Sequence, residues 1–381
     1  MIEVKHTLQV LPVHVINPQA NQEKVLRVSE ELESLITTLG GHIVDRLIQK
    51  LDKPDNATYI GKGKVSELVE KVEKNEIDVV ILNDMAKPGQ VHHLKTALQK
   101  VNPQIEVWDR VDLILQIFEK HATTTESKLQ IELARMKYMG PRIYGMGFVL
   151  SRQGGGIGTS GIGETNTELM KRHWRNEVKK VKDQLTKISK SRENQLERRR
   201  RVGFKTVSIV GYTNAGKSSL YNLLSKKNKL VENALFATLD SSVGKMYIPA
   251  LTQEVLLTDT IGFIRNLPPH LIDASKSTLM ESVHADVLLH VIDMSDPEID
   301  IKIKVVNDIL VELGRDITDV IYVFNKIDAA PEVNRKHLLV KYGKHNPLFI
   351  SVKTGEGIEQ IQESITQRLQ VSLVSEQVSA E

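Results

Sequence analysis

Residues 207–219 read VSIVGYTNAGKSS, and this stretch predicts the fold of the second half of the chain. Val207–Val210 is typical of a short buried strand, and Gly211–Ser218 fits the phosphate-binding pattern G-x-x-x-x-G-K-[ST]. The two glycines allow the tight turn in which backbone N–H groups surround phosphate oxygens. The helix expected after the loop directs its positive N-terminal end at the same anion.

Every position of this loop is a candidate phosphate contact. Lys217 brings a positive charge to the β- and γ-phosphates, which makes it a catalytic candidate, and the Ser218 hydroxyl can ligate Mg²⁺. A chance match in a glycine-rich loop is the alternative, and the strand before and the helix after disfavour it. The predicted contacts are Gly211, Tyr212, Thr213, Asn214, Ala215, Gly216, Lys217, Ser218 and Ser219.

A second motif follows the apolar run at 254–258. Its residues Asp259, Thr260, Ile261 and Gly262 form the D-x-x-G pattern that senses the γ-phosphate and reaches Mg²⁺ through water. Between the two motifs lies Phe236-Ala237-Thr238, and Thr238 is the threonine placed to be the second Mg²⁺ ligand. We expect Thr238 and Gly262 to act as switch hinges and catalytic contributors, ordered by the γ-phosphate and released on hydrolysis.

Two further loops indicate guanine as the base. Asn325, Lys326 and Asp328 form an N-K-x-D motif at the end of the buried run 320–324. The Asp328 carboxylate can accept hydrogen bonds from the guanine N1–H and exocyclic amine, a pair of donors that adenine lacks. Another strand end carries the segment predicted to meet guanine O6, Ser351-Val352-Lys353. This order of motifs predicts a doubly wound GTPase domain of the translation-factor class that takes GTP with Mg²⁺.

The whole-chain composition bounds the remaining possibilities. The 381 residues suffice for two or three domains, and the absence of cysteine excludes disulfides and cysteine-ligated zinc. The first residues lack a basic start followed by an apolar run, and charges interrupt apolar stretches before the ~18 residues of a membrane helix. The net charge is only +3. We therefore expect a cytoplasmic protein without a membrane span. A monomer is also our expectation, although no pattern in the sequence decides the oligomeric state.

The predicted class is α/β, with four regions along the chain. Residues 1–115 alternate strand-like and helix-like segments and predict a small parallel sheet, in which Pro12 suggests an edge strand or an irregularity. Residues 116–200 predict an antiparallel helical hairpin with a glycine-rich loop. Residues 201–370 form the GTPase domain, and 371–381 a disordered tail. For the glycine turn at 59–64 we favour a structural role before a helix, and ATP binding is the alternative.

The hairpin is strongly basic. A heptad seam of Trp174, Val178, Val181, Leu185 and Ile188 predicts helix-on-helix packing. Between residues 171 and 205 there are fourteen Lys or Arg and four Asp or Glu. A solvated surface is one interpretation of this excess. The other is a phosphate-backbone contact, and because aromatic residues are only 4% of the chain it favours structured RNA over stacked single strands, with no DNA expected.

Several segments of the chain carry a further pattern. They are Tyr59–Val65 (YIGKGKV), Lys128–Ala134 (KLQIELA), Leu150–Thr159 (LSRQGGGIGT), Gly163–Thr165 (GET), Phe236–Asp240 (FATLD) and Asp259–Pro268 (DTIGFIRNLP). Together these segments resemble the HflX family of GTPases. The resemblance implies a GTPase of the ribosome that binds the large subunit and its rRNA, can split stalled ribosomes, and extends its N-terminal region toward the peptidyl transferase centre.

One position bears on mechanism. Many GTPases place a water-orienting glutamine after the D-x-x-G glycine, but here the residue is Phe263. We expect slow intrinsic hydrolysis that a partner, the ribosome, completes. Asn214 resembles an asparagine that coordinates K⁺ in related GTPases, with a loop-stabilising hydrogen bond as the alternative. Two other hypotheses remain, an RNA-binding module in which GTP is only a conformational ligand, and a dual GTP/ATP nucleotidase.

Overall fold

The computed structural model describes residues 7–19, 22–153, 160–226, 242–260, 262–264, 283–330 and 332–378. The chain divides into two compact units, residues 1–120 with 128–184 and residues 121–127 with 185–381. Each unit contains a largely parallel sheet with helices, so the predicted α/β class is confirmed. The division falls inside the predicted hairpin, because its helices contribute residues to both units.

The sheet of the first unit is parallel in every pairing. Its order is β2-β1-β4-β5, with β3 beside the second half of β1. Strand β4 is buried at all four positions, as expected where helices cover both faces of a parallel sheet. The strands are β1 (Gln9–Ile16), β2 (His42–Ile43), β3 (Leu47–Lys50), β4 (Val79–Leu82) and β5 (Glu106–Trp108). The helices between and after them are α1 (Gln22–Leu39), α2 (Lys62–Lys74), α3 (Pro88–Leu98) and α4 (Arg110–His121).

Of the two expectations for Pro12, an edge strand is wrong because β1 is central, whereas a strand irregularity is confirmed. Pro12 pairs with Ile81 of β4 on one side. On the other side, the Val10 carbonyl accepts from Val44 and the Ile16 carbonyl from Leu51. Alternate residues of a strand direct their backbone groups to the same side, so the Pro12 nitrogen also faces that side, between the end of β2 and the start of β3. The chain thus places the residue without an N–H at an interruption of the ladder.

The two helices that follow form the predicted hairpin. The chain is not helical at residues 122–124, and Thr124 caps the helix that follows by accepting a hydrogen bond from the Ser127 N–H at 3.1 Å. Trp174 covers the opposite helix so closely that a Cβ atom on Gly140 would lie 2.9 Å from its indole nitrogen. The helices are α5 (Thr125–Gln153) and α6 (Ser160–Arg201), and the glycine-rich residues 154–159 lie outside the described residues.

The second unit is built on a sheet of order β11-β10-β9-β6-β8-β7, in which only β7 is antiparallel to its neighbour. The hairpin of β7 and β8 pairs Ser242 with Asp259 at its open end. One apolar layer packs against α7 and α10, and another against α8. The strands are β6 (Thr206–Gly211), β7 (Ser242–Ile248), β8 (Gln253–Asp259), β9 (Val287–Asp293), β10 (Val320–Asn325) and β11 (Leu348–Phe349). The helices are α7 (Lys217–Ser225), α8 (Ile299–Glu312), α9 (Glu332–Tyr342) and α10 (Ile358–Val378).

The end of the chain differs from the expectation of a disordered tail at 371–381. Helix α10 continues to Val378, past the end of the predicted GTPase domain at residue 370. Its buried face is anchored at Ile361, Ile365 and Leu369, and no glycine or proline follows to stop it. Residues 379–381 lie outside the described residues.

One histidine of the first unit is enclosed in the fold. His14 of β1 is fully buried, and within the described residues neither ring nitrogen has a hydrogen-bond partner. Burial lowers the pKa of His14 from 6.5 to about 4, with Arg46 and Arg110 acting in the same direction. The imidazole is therefore neutral at pH 7.

This burial predicts acid sensitivity of the first unit. The unfolded chain binds a proton at His14 near pH 6.5 and the folded chain only near pH 4, so stability is complete above pH 6.5 and is lost as the pH falls through that window. The loss amounts to about 2 kcal/mol at pH 5. We expect His14→Gln to remove this contribution from the difference in the free energy of unfolding between pH 7.5 and pH 5. The measurement is urea unfolding followed by tryptophan fluorescence, since both tryptophans, Trp108 and Trp174, belong to this unit.

The matched control is His42→Gln, because His42 is exposed. It should leave the pH dependence of unfolding as in the parent. An equal pH dependence in His14→Gln and the parent would contradict the assignment.

Candidate nucleotide-binding site

The loop between β6 and α7 has the shape of a phosphate site, and two of its positions require glycine. Gly211 has φ 151° and Gly216 has φ 95°. A Cβ atom on Gly211 would lie 2.2 Å from the Val291 carbonyl oxygen, and one on Gly216 would lie 2.2 Å from the Asn325 amide nitrogen. Both the backbone conformation and the close neighbours therefore exclude a side chain.

Lys217 is buried directly after the loop. Its Nζ donates a hydrogen bond to the Tyr212 carbonyl oxygen at 2.7 Å. Desolvation lowers the pKa of Lys217 from 10.5 to about 8, and the nearby charge of Asp259 acts in the opposite direction. A desolvated ammonium group gains more from an incoming anion than an exposed one, because less water screens the attraction.

Ser218 and Asp259 place oxygen donors beside this ammonium. The Ser218 hydroxyl donates to Asp259 Oδ2 at 2.8 Å, and Asp259 is fully buried at the end of β8. The next residue, Thr260, donates its hydroxyl to the Ile209 carbonyl at 2.8 Å and so fixes the D-x-x-G segment to β6. A hydroxyl and a carboxylate are the hard oxygen donors that Mg²⁺ prefers. Among the described residues no group of three or more His, Asp or Glu could hold a metal.

The D-x-x-G segment is also hydrogen-bonded to the phosphate loop. The Thr213 N–H donates to the Phe263 carbonyl at 2.8 Å, and the Phe263 N–H donates to the Gly211 carbonyl at 3.1 Å. A Cβ atom on Gly262 would lie 2.7 Å from Thr213 Cγ2 and 3.0 Å from Lys217 Nζ. The Phe263 ring itself is buried in the apolar layer that also contains Val210. It therefore has neither the polar group nor the position to orient a water molecule.

Asn325 joins three loops. Its amide nitrogen donates to the Ala215 carbonyl of the phosphate loop at 2.9 Å, and its amide oxygen accepts from the Val352 N–H at 3.1 Å. Asn325 is only 3% exposed, so both partners depend on it rather than on water. The phosphate loop and the two predicted base-contacting loops are held in one fixed arrangement.

The remaining residues of the N-K-x-D motif lie close to the end of β11. Ser351 Oγ donates to Asp328 Oδ1 at 2.7 Å, and Lys353 Nζ lies 3.8 Å from Asp328 Oδ2. Lys326 has φ 65° and forms a 2.7 Å ion pair with Asp293. The structure thus groups Asn325, Lys326, Asp328 and the 351–353 segment at one edge of the sheet.

Two contacts near the site were not predicted from the sequence, and four predicted site residues lie outside the described residues. Asp293 has no motif, although it ends a buried strand next to β10 and could have been suspected on that ground. Lys302 of α8 lies 4.8 Å from the centre of the Tyr212 ring, and no pattern indicates that pair. The predicted residues outside the described set are Phe236, Ala237, Thr238 and Ile261.

The glycine turn of the first unit has a structural role. Gly61 caps α2, and its N–H donates to Gln49 Oε1 at 2.8 Å. Tyr59 and Ile60 beside it are buried in the apolar core. These contacts favour the structural interpretation of the turn over a second nucleotide site.

Most of the basic side chains that the structure describes on α6 face solvent, whereas its seam is half-buried or buried. Val181 in the seam is 5% exposed. Lys180 pairs with Glu177, and Arg192 pairs with Glu126. The exposed basic residues include Arg172, Arg175, Lys179, Lys180, Lys182, Lys187, Lys190 and Arg198.

Three family models match successive parts of the chain. Residues 27–119 match "GTP-binding GTPase N-terminal", residues 121–199 match "GTP-binding GTPase Middle Region" and residues 206–326 match "50S ribosome-binding GTPase". The "GTPase HflX" of Caldanaerobacter subterraneus is 44% identical over 339 residues, which are 89% of this chain and 76% of the relative. That of Escherichia coli is 35% identical over 348 residues, 91% of this chain and 80% of the relative.

The chain belongs to the HflX family of GTPases. An SsGBP–GDP crystal structure superposes with a TM-score of 0.55 at 26% identity, covering 96% of this chain and all of that one. A GTP-binding protein of Sulfolobus solfataricus in complex with GDP, at 24% identity and a TM-score of 0.50, shares the fold. As an HflX GTPase with a phosphate-loop domain, the protein binds and hydrolyses GTP. In the part of the chain that the structure describes, no helix is long and apolar enough to cross a membrane.

The position of Asn325 predicts a large effect of its removal. Asn325→Ala leaves a buried carbonyl and a backbone N–H without partners, at about 1–3 kcal/mol each. We expect the free energy of unfolding to fall by about 2–4 kcal/mol in urea unfolding followed by circular dichroism. The affinities for GDP and GTP should fall together, because the loops lose their common anchor.

Asn194→Ala on the exposed surface of α6 is the control, and should leave stability and affinity unchanged. The assignment fails if Asn325→Ala is as stable as the parent.

Proposed function

We propose that this HflX-family GTPase acts on the ribosome, and that the large subunit completes its catalytic site. The observation that carries the proposal is the burial of Phe263, which leaves no water-orienting side chain directly after Gly262. A partner that supplies this group in trans would make hydrolysis conditional on binding. The match of residues 206–326 to a ribosome-binding GTPase model supports the same partner.

The nucleotide would lie across the loops that Asn325 holds together. Asp328 accepts from the guanine N1–H and exocyclic amine, Lys326 lies along the base, and the 351–353 segment meets guanine O6. The residues 211–219 surround the phosphates, and Gly262 contacts the γ-phosphate. The spacing of these groups along one sheet edge and the guanine specificity of the N-K-x-D pattern support this placement.

Catalysis in this site would rest on positioning and charge neutralisation. Lys217 holds its charge against the β- and γ-phosphates, in a desolvated position where it acts strongly. Ser218 and Thr238 would ligate Mg²⁺ directly and Asp259 through water. When bound, Mg²⁺ neutralises phosphate charge. Asn214, at the exposed turn of the loop with φ 63°, would hold K⁺ beside the phosphates.

The ribosome contact would involve the exposed basic face of α6. Its charges lie on one continuous helix of 42 residues, a rigid surface suited to the backbone of structured rRNA. Binding of this kind neutralises phosphates and releases counterions, and therefore weakens with salt. We assign the protein a cytoplasmic role as a monomer that splits or rescues stalled ribosomes.

The base assignment predicts a change of specificity. Asp328→Asn replaces an acceptor with an amide, which pairs with the additional carbonyl of xanthine rather than with the guanine amine. We expect GDP affinity to fall by about 10²-fold and XDP affinity to rise above it in fluorescent-nucleotide titrations. Asp308→Asn, on the exposed face of α8, is the control and should keep guanine selectivity. Unchanged preference for GDP in Asp328→Asn would contradict the assignment.

The partner assignment predicts stimulated turnover. We expect added large ribosomal subunits to raise kcat for GTP at least tenfold, and the rate to fall when Na⁺ replaces K⁺. Arg172→Gln with Lys179→Gln should weaken the stimulation and its salt dependence without changing the rate of the free protein. The matched double variant, Lys304→Gln with Lys336→Gln, removes exposed charges of the second unit and should behave as the parent. If the subunit has no effect while GTP still binds, the target of this family member lies elsewhere.

A further inference from the structure

Thr213 carries a polar group whose role the loop pattern does not explain. Its side chain is 6% exposed, and within the described residues its hydroxyl oxygen is buried without a hydrogen-bond partner. Buried hydroxyl groups in folded proteins almost always have a partner, because an unpaired one has lost its water without compensation. An exception inside a ligand-binding loop indicates that the ligand provides the partner.

Two other polar groups next to Thr213 already have partners within the protein. Its own N–H donates to the Phe263 carbonyl at 2.8 Å. The Lys217 ammonium donates to the Tyr212 carbonyl. The Thr213 N–H is therefore occupied, whereas its hydroxyl is left for a nucleotide.

The neighbours of Thr213 show which part of a nucleotide this is. A Cβ atom on Gly262 would lie 2.7 Å from Thr213 Cγ2, 2.9 Å from Thr213 Cα and 3.0 Å from Lys217 Nζ. Thr213 thus lies where the D-x-x-G glycine and the loop lysine come together. In phosphate-loop GTPases this is the place of the terminal phosphate, which the lysine and the D-x-x-G segment contact.

We propose that the Thr213 hydroxyl donates a hydrogen bond to the terminal phosphate of bound GTP. The proposal rests on the phosphate site proposed above, and adds a residue that distinguishes GTP from GDP. Because GDP has no γ-phosphate, the hydroxyl remains unpaired in the product complex. The negative charge on the γ-phosphate oxygens is the acceptor, and a hydrogen bond to a charged acceptor is stronger than one between neutral groups. Thr213 therefore contributes both to GTP preference and to turnover.

Three substitutions separate the hydroxyl from the packing of the methyl group against Gly262. Thr213→Val keeps the shape and removes the hydroxyl. Thr213→Ser keeps the hydroxyl and removes the methyl group, and Thr213→Ala removes both. The measurements are the dissociation constants of GDP and of a non-hydrolysable GTP analogue, with single-turnover GTP hydrolysis by the free protein.

We expect Thr213→Val to bind GDP within twofold of the parent, which also shows that the loop is intact. It should bind the GTP analogue five- to tenfold more weakly and hydrolyse GTP at least fivefold more slowly. Thr213→Ser should remain within twofold of the parent in all three measurements.

The proposal is overturned if Thr213→Val retains the affinity for the analogue, or if it loses affinity for GDP and analogue equally. It is also overturned if Thr213→Ser is as impaired as Thr213→Val, which would assign the effect to packing. If the valine variant does not fold, the serine and alanine variants test the proposal. Only the alanine variant should then lose affinity for the GTP analogue while keeping its affinity for GDP. Failure of the parent to bind GDP would instead refute the phosphate site, and absent ribosome stimulation would refute only the proposed partner.

Discussion

The burial of two opposite charges, Lys217 and Asp259, is the constraint around which the second unit is organised. Removing a charged group from water is costly unless its partners compensate. Lys217 donates a hydrogen bond to the Tyr212 carbonyl, and Asp259 accepts one from the Ser218 hydroxyl. Both charges lie at the carboxyl ends of central strands, where a parallel sheet leaves its loops open to a ligand. A nucleotide with its cation brings the matching charges, so the same arrangement that is costly in the free protein favours binding.

Local patterns predicted most of the fold, because each pattern reports on its own segment. The glycine spacing at 211 and 216 identified the phosphate loop, and the apolar run of β10 identified a buried strand. The edge-strand expectation for Pro12 failed because distant contacts decide there, and the expectation for the end of α10 failed within a single segment. Pro12 is tolerated in a central strand because two short strands share one side of β1, a fact that no local pattern contains. Helix α10 extends beyond its buried apolar residues because no glycine or proline follows in the sequence to end it.

The site shows the same division between local and distant information. Motifs named the residues of the loops, but they did not indicate how the loops are fixed to one another. The hydrogen bond from Asn325 to the Ala215 carbonyl spans 110 residues, and that from Thr260 to Ile209 spans 51. Asp293 was missed for this reason, since its importance follows from the position of Lys326 in space. Within the described residues the Thr213 hydroxyl has no partner, and this too becomes visible only from the positions of its neighbours in space.

The hairpin of β7 and β8 has a mechanical consequence. Its open end pairs Ser242 with Asp259, so the chain enters the hairpin just after the predicted threonine switch and leaves it at the D-x-x-G segment. Met246 and Ile248 are buried, whereas Lys245 and Tyr247 are exposed, and a slip of one residue would exchange the two faces. The strands must therefore shift together or not at all. Whatever displaces Ser242 therefore displaces Asp259 as well, and the two ends of this hairpin behave as a single moving part.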